Sequence, residues 1–323
     1  MLRTLVLSLS VLLAACGGQS SDASAGASGD GATKRVAVVP KGMTHTFWLA
    51  VKAGAERGAK AAGLEMTFKG PLSESDRAGQ IAMVQQFVSE GVAGIALAPL
   101  DHTALAPVVA SAKQKGIPVV IFDSALDGTP GADFASFVAT DNEKAGEMAG
   151  EALAKALGDG GKKVVLLRYQ VGSASTEARE KGFLTAAKAA GLEVIVDNRY
   201  AGGTAGEAKT TSLNMADALR DCDGIFASNE SATNGMLLAL EQLGLAGKKR
   251  FVGFDSSPPL NAGLEAGKID ALVVQDPQRM GELAVEQLQQ LIGGKTVPAV
   301  TDTGAVLATK ANMQQPEIAR LLK

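Results

Sequence analysis

The sequence is poor in cysteine, histidine and aromatic side chains. Its 323 residues include two cysteines, two histidines and one tryptophan, and aromatic residues make up 4% of the chain. Cys16 falls in the N-terminal leader and only Cys222 lies in the body, so no internal disulfide framework is available. Two distant histidines without paired cysteines give no zinc-binding pattern. The formal net charge is −3 with no basic block, which argues against a nucleic-acid partner.

The motifs of several common enzyme classes are also missing. No GxSxG nucleophile elbow occurs, because "GSAST" lacks the second glycine. Residues Gly293–Thr296 resemble the end of a phosphate-binding loop, but Gln289 stands where that motif requires glycine. No GxGxxG follows a predicted strand. We therefore expect a protein that is not an enzyme and that uses no cofactor and no metal.

The first 15 residues have the pattern of a secretory signal peptide. Arg3 gives a weakly positive start, and the apolar core Leu5–Ala15 has eleven residues. Eleven helical residues are too few to cross a hydrocarbon layer of ~30 Å, so a membrane span is not expected. The sequence "LAAC" that ends at Cys16 resembles a bacterial lipoprotein box, in which the cysteine is lipidated and becomes the mature N-terminus. The alternative is an ordinary cleaved signal with an incidental cysteine.

Residues 16–33 are rich in glycine, serine, alanine and aspartate and contain no large apolar residue. Such a segment cannot bury enough surface to offset the entropy of ordering, which predicts a flexible tether. Signal, lipid site and tether together predict a folded body in the periplasm or at the cell surface, anchored to the membrane through Cys16. Cys222 is expected to pack as a small apolar residue.

From Arg35 onward, short apolar runs alternate with longer helical patterns in two series of similar rhythm. Apolar strands between amphipathic helices indicate a parallel sheet that is covered on both faces. Several predicted helices end at a glycine, as expected of C′ positions: Gly63, Gly91, Gly116 and Gly191. The pattern predicts an α/β protein with two similar doubly wound parallel-sheet lobes. A barrel of eight repeats is the competing architecture, but the spacing is uneven between Leu126 and Asp141.

Polar and aromatic side chains follow the predicted strands, at the edge where ligands bind in open parallel sheets. Carboxylates and amides suit the hydroxyl groups of a neutral ligand, and an aromatic face packs against the C–H face of a sugar ring. Other roles are open: Trp48 suits a core position equally well, Asn229 could cap the following helix, Arg179 and Glu180 look like an exposed helix pair, and His102 looks like a surface residue. The candidate ligand-binding residues are His45, Phe47, Trp48, Asp123, Arg168, Glu177, Asn229, Asp255 and Gln275.

The stretches "VAGIALAPLD", "GIPVVIFD", "SFVATDN", "GIFASNE", "FVGFD" and "IDALVVQDP" occur in this order. In them the chain resembles, over residues 35–310, the periplasmic sugar-binding proteins of ABC importers, in particular the ribose-binding-like group that shares its fold with LacI-type regulators. The resemblance implies an aromatic sandwich formed by Phe47 and Trp48. It also implies that four residues bind ligand hydroxyl groups, namely Asp123, Asn229, Asp255 and Gln275. His45 falls where relatives often carry a polar ligand residue.

The match departs from the ribose-binding pattern at two arginines. Ser124 stands where those relatives carry an arginine after the carboxylate, and Glu177 stands at the position of a second arginine. Arg179 aligns with a different arginine of the family. Fewer guanidinium groups argue against an anionic or phosphorylated ligand. A neutral sugar or linear polyol is the expected ligand.

The resemblance also implies a three-segment hinge and closure of both lobes on the ligand. The N-terminal lobe is expected to comprise 34–139 plus 277–303, and the C-terminal lobe 140–276 plus 304–323. The closed protein, a monomer, would then deliver its ligand to an ABC permease. The alternative is a ligand-sensing protein that docks on a membrane receptor or sensor kinase. A regulator of the LacI type would need a DNA-binding headpiece, and its place is taken by the signal and tether.

Overall fold

The computed structural model describes residues 34–323. The predictions made for the leader, namely the signal peptide, lipidation at Cys16 and the tether, lie outside the described residues. Within the described range, none of the helices combines the length and the apolar character that a membrane crossing requires.

The first of two sheets has six parallel strands in the spatial order β11-β5-β4-β3-β1-β2. Buried apolar side chains from both of its faces pack against helices, as a doubly wound sheet requires. Its strands are β1 (Arg35–Val39), β2 (Glu65–Phe68), β3 (Gly94–Leu97), β4 (Val119–Phe122), β5 (Ser136–Ala139) and β11 (Val300–Asp302). Its helices are α1 (Thr46–Ala62), α2 (Arg77–Glu90), α3 (Ala106–Gln114) and α10 (Pro277–Ile292).

The second sheet repeats this arrangement in the order β12-β10-β9-β8-β6-β7. It has its own pair of apolar clusters, one on each face. The strands are β6 (Lys163–Arg168), β7 (Glu193–Tyr200), β8 (Gly224–Ala227), β9 (Arg250–Phe254), β10 (Ala271–Gln275) and β12 (Ala305–Thr309). The helices are α4 (Asn142–Leu157), α5 (Ala174–Ala189), α6 (Ala205–Leu213), α7 (Ala216–Asp221), α8 (Glu230–Gln242), α9 (Pro258–Glu265) and α11 (Pro316–Ala319).

Two features of the second lobe differ from what the sequence predicts. The pattern of residues 205–221 predicts a single helix, but the structure divides this segment into α6 and α7 around Met215, whose φ of −116° and ψ of 29° are not helical. Strand β12 runs antiparallel to β10. Only two residues separate the end of β11 from the start of β12. Strand β12 therefore starts at the end of the second sheet where β10 finishes, and it must run in the direction opposite to β10.

The predicted fold class is confirmed, and the barrel alternative is wrong, since the strands form two separate sheets. The chain passes between the sheets at 139–142, 275–277 and 302–305. Hydrogen bonds join the first and third of these connections: Thr140 Oγ1 donates to the Gly304 carbonyl at 3.0 Å, and the Asp141 N–H donates to Asp302 Oδ1 at 3.1 Å. The predicted C′ glycines all have the left-handed backbone of a helix end, with φ between 64° and 72°.

Glycines allow very close packing of helices in both lobes. A Cβ atom on Gly54 of α1 would lie 1.8 Å from the carbonyl oxygen of Gln278 in α10. In the second lobe, a Cβ on Gly146 of α4 would lie 2.0 Å from the carbonyl oxygen of Arg179 in α5. These distances are far below van der Waals contact, so neither helix pair can keep its spacing if the glycine gains a side chain. In the second lobe, this close approach fixes the part of α5 that carries Arg179.

Candidate ligand-binding site

A cavity lies between the two lobes, at the carboxyl ends of their parallel strands. This is the place where open parallel sheets commonly bind ligands. The cavity brings together seven of the nine candidate residues, but Arg168 and Glu177 do not line it. The seven are His45, Phe47, Trp48, Asp123, Asn229, Asp255 and Gln275.

Asp123 and Asp255 occupy equivalent places in the two lobes. Each follows the last residue of a central strand, and each backbone N–H donates to the neighbouring strand, at Val138 and Val273 respectively. Their φ values of 62° and 68° make them the described non-glycine residues with positive φ. This conformation is strained for an L residue, and such strain clusters at functional sites. Both side chains are buried and line the same cavity.

The partners of the two aspartates differ. Asp123 Oδ2 lies 3.1 Å from Nζ of Lys41, a buried lysine that the sequence analysis missed although it comes two residues after β1. Asp255 accepts from Gln275 Nε2 at 2.7 Å and from the Glu230 N–H at 2.9 Å. Within residues 34–323, the buried Oε1 of Gln275 has no hydrogen-bond partner. A buried acceptor without a donor is costly, so this atom can accept a hydrogen bond from a donor placed in the cavity.

Phe47 and Trp48 lie in the first turn of helix α1 and line the cavity from the first lobe. They also pack into the core of that lobe, so the two roles considered for Trp48 coexist in the structure. The two rings meet edge to face, with centroids 4.9 Å apart and planes at 88°. They therefore do not form the two parallel walls of a sandwich.

Glu74 is the main residue of the cavity that sequence reasoning missed. It lies in the loop after β2, and its buried carboxylate accepts from Trp48 Nε1 at 2.6 Å and from the Tyr169 hydroxyl at 2.7 Å. His45 Nδ1 lies 2.6 Å from the same carboxylate, and His45 Nε2 donates to the Gly203 carbonyl at 3.2 Å. Both imidazole nitrogens thus face acceptors, which suits a protonated ring.

The electrostatics of this pair follow from its burial and its partners. Burial alone would lower the pKa of His45, but the charge and hydrogen bond of Glu74, with help from Glu230 and Gly203, raise it to about 9. Burial alone would raise the pKa of Glu74, yet His45, with Lys41 and Trp48, lowers it to about 2. At neutral pH the two side chains therefore form a buried ion pair.

Arg179 and Glu180 are not an exposed helix pair, and that expectation is wrong. Both are buried, with 2% and 1% of their surface exposed. Arg179 lines the cavity, donates to Asn142 Oδ1 at 2.8 Å and to the Ser228 carbonyl at 3.1 Å, and lies 3.8 Å above the ring centre of Phe254. The cause is the glycine contact between α4 and α5, which presses this part of α5 against the strand ends.

The two candidates outside the cavity have other partners. Arg168 turns towards the β7 edge, where its guanidinium lies 2.8 Å from Glu180 and 3.4 Å from Asp197. Glu177 accepts from the Gly172 N–H at 2.7 Å and has a side chain that is 42% exposed. Arg168 is the last residue of β6 and Glu177 lies in the first turn of α5, but neither side chain lines the cavity.

Asn229 combines two of the roles considered for it. Its Oδ1 accepts from the Ala232 N–H at 3.0 Å, which caps helix α8, and its side chain lines the cavity.

The lobes touch each other around the cavity, so the structure is a closed one. Tyr169 of the second lobe reaches Glu74 of the first. Lys41 Nζ donates to Ser175 Oγ at 2.9 Å, and the Ser175 N–H donates to Ser124 Oγ at 3.1 Å. These bonds are made by the protein alone, across the cleft.

The sequence model of one protein family, the periplasmic binding protein domain, matches residues 36–296 of this chain. The chain belongs to the periplasmic binding protein family. It is 29% identical over 272 residues to the D-allose-binding periplasmic protein of Escherichia coli (strain K12), covering 83% of this chain and 88% of the relative. It is 30% identical over 270 residues to the ribose import binding protein of Bacillus subtilis (strain 168), covering 83% and 85%.

A solved member of the same family has nearly the same architecture. The ABC transporter solute-binding protein of Agrobacterium vitis with bound D-fucose is 35% identical, with a TM-score of 0.85, and the match covers 90% of this chain and 100% of that one. The resemblance predicted from the sequence is confirmed. Since the family and these relatives are binding proteins, the prediction that the chain is not an enzyme is also confirmed.

Proposed function

We propose that this periplasmic binding protein captures a neutral sugar or polyol in the cleft between its lobes. The observation that carries the proposal is the pair Asp123 and Asp255, which stand at equivalent strand ends of the two lobes with the same strained backbone. Each carboxylate can accept from two neighbouring hydroxyl groups. One polyhydroxylated molecule can therefore engage both lobes at once, which is what hinge closure requires.

The charges of the cavity support a neutral ligand. Its lining contains four carboxylates and three cationic groups, the latter being Lys41, protonated His45 and Arg179. The cations already face acceptors of the protein: Asp123, Glu74 and Asn142. No surplus of positive charge is left for a phosphate or carboxylate ligand. The relatives point the same way, since their names or bound molecules are D-allose, ribose and D-fucose.

The proposal extends to the state of the protein and to the delivery of its ligand. The chain acts as a monomer of two lobes, which comprise 34–139 with 277–303 and 140–276 with 304–323. The closed form delivers its ligand to an ABC permease. Lipidated Cys16 anchors it in the periplasm or at the cell surface, and residues 16–33 serve as the tether. Closure on a ligand needs only that the ligand bind the closed arrangement better than the open one.

A thermal-shift screen of neutral sugars and polyols tests the binding function. D-allose, D-ribose, D-fucose and a series of linear polyols form the panel, and sugar phosphates are the matched charged controls. A ligand that binds only the native state stabilises it, by about 2.7 kcal/mol at a concentration of 100 times its Kd, and therefore raises the melting temperature. We expect one or more neutral compounds to shift the transition and to change the fluorescence of Trp48. A shift only with phosphorylated sugars, or none across the panel, refutes the proposal.

The anchor is tested separately. We expect the chain expressed with residues 1–33 to incorporate labelled fatty acid and to sediment with membranes, and Cys16→Ser to abolish both. Cys222→Ser is the control, because Cys222 is fully buried. Equal labelling of the Cys16→Ser chain contradicts the lipoprotein proposal without affecting the binding function.

A further inference from the structure

Helix α1, which carries Phe47 and Trp48 into the cleft, begins without a cap of its own. Its N-cap residue is His45, whose side chain makes no capping hydrogen bond, and its first turn contains no acidic residue. The first backbone N–H groups of a helix have no partner within the helix, and an uncapped start costs about 1 kcal/mol. The sequence around α1 does not provide the acceptor.

The acceptor comes from the opposite lobe. Glu230, the first residue of α8, accepts from the Thr46 N–H with Oε1 at 3.1 Å and from the Phe47 N–H with Oε2 at 2.9 Å. The Glu230 side chain is buried, and its charge lies at the positive end of the α1 dipole. Helix α8 does not need it for its own start, because Asn229 caps that helix.

We propose that Glu230 is a positioning residue that caps α1 across the cleft and stabilises the closed arrangement whatever ligand is bound. Opening the cleft removes the carboxylate from Thr46 and Phe47 and leaves α1 uncapped. The Glu230 carboxylate also lines the cavity, but its bonds to Thr46 and Phe47 are made by protein atoms alone, so the contribution of these two bonds to closure is the same for every ligand. This inference rests on the proposed function, in which closure is part of binding.

The apparent affinity of a protein that binds only when closed is proportional to its closed fraction. Removing a cap of ordinary strength should therefore weaken binding about fivefold, which corresponds to about 1 kcal/mol. Glu230→Ala removes both acceptors, and Glu230→Gln retains one amide oxygen. Asp223→Ala is the matched control: the Asp223 carboxylate also accepts from two successive backbone N–H groups, Lys162 at 2.8 Å and Lys163 at 3.0 Å, but wholly within the second lobe.

Calorimetry with every neutral sugar or polyol that binds forms the first arm of the test. We expect Glu230→Ala to weaken all of them by the same factor of about five, Glu230→Gln to weaken them less, and Asp223→Ala to leave the affinities unchanged. A loss that differs between ligands and changes their rank order shows direct contact with the ligand and overturns the proposal. So does a loss of equal size in Asp223→Ala.

Amide hydrogen exchange of the full chain without ligand forms the second arm. We expect the peptide that contains Thr46 and Phe47 to exchange faster in Glu230→Ala, and at the original rate in Asp223→Ala. Equal exchange of this peptide in the original and Glu230→Ala chains, together with unchanged affinities, overturns the proposal. If no sugar or polyol binds, the proposed function fails, and the exchange arm alone decides whether Glu230 holds the lobes together.

Discussion

Replacing Glu74 by glutamine should destabilise the protein by an amount that depends strongly on pH. Glutamine has the same shape, and its amide oxygen can still accept from Trp48 or Tyr169. What it cannot do is form the ion pair with His45 Nδ1, which lies 2.6 Å from the Glu74 carboxylate. The substitution therefore separates the charge of Glu74 from its hydrogen bonds.

The magnitude follows from the pKa of His45. In the folded protein this pKa is about 9 against an ordinary value of 6.5, a difference of 9 − 6.5 = 2.5. At about 1.36 kcal/mol for each pH unit, the pair contributes about 3 kcal/mol to the free energy of unfolding. Because the folded pKa is raised, this contribution is complete below pH 6.5 and disappears as the pH rises through 9. The lowered pKa of Glu74, about 2 against 4.5, places the acid limit of the same contribution between pH 4.5 and 2.

Two measurements check this. Proton NMR titration should show the pKa of His45 fall from about 9 to its ordinary value or below, because burial, the largest influence on the ring, is then unopposed by Glu74. The chain has only two histidines, so His102→Asn assigns the signals. Urea unfolding should show Glu74→Gln costing about 3 kcal/mol more at pH 6 than at pH 10. A His45 pKa that stays near 9 in the variant, or an equal cost at both pH values, refutes the ion pair.

Three further outcomes follow from the geometry of the site and the lobes. Asp123→Ala and Asp255→Ala should each weaken binding of a neutral ligand tenfold or more in calorimetry, since a lost charge-assisted hydrogen bond costs about 2 kcal/mol; unchanged affinity removes that residue from the site. Glu177→Gln should leave the affinity unchanged, because the side chain points away from the cavity; a clear loss contradicts that placement. Gly146→Ala should lower the melting temperature through a clash costing about 1–3 kcal/mol, whereas Gly160→Ala, with open space around it, should not.

The strand-end residues were predictable because topology alone fixes them. In a parallel sheet, every strand delivers its next residue to the same edge, so Asp123, Asp255 and Gln275 meet at the cleft whatever the loops do. The continuous apolar runs of the central strands and the C′ glycines gave the boundaries that this rule needs. Local pattern and global fold agree at these positions, and the fold class followed from them.

The rule on strand ends could not predict that Glu74 and Arg179 line the cavity, for two different reasons. Glu74 comes six residues after the end of β2, and nothing local indicates which carboxylate of a loop turns back to the cavity. Arg179 and Glu180 are neighbours on α5, and one helix face rarely buries two adjacent charged residues. Here both are buried, because Gly146 lets α4 approach α5 closely from one side while the strand ends, with Phe254 beneath Arg179, cover the other. Such burial depends on packing between elements far apart in sequence.

On the proposed function, closure on a ligand follows from the way in which the residues that line the cavity are divided between the lobes. The first lobe holds Asp123, Trp48 and the His45–Glu74 pair, and the second holds Asp255 and the unpartnered oxygen of Gln275. On the proposed function, a ligand held by one lobe alone leaves the other aspartate without its hydroxyl partners, so the closed arrangement binds it better than the open one. Differential affinity of this kind is sufficient to shift the equilibrium. On the two proposals, the capping bonds of Glu230 add a constant to that equilibrium, and the ligand shifts it through its contacts with the residues that line the cavity.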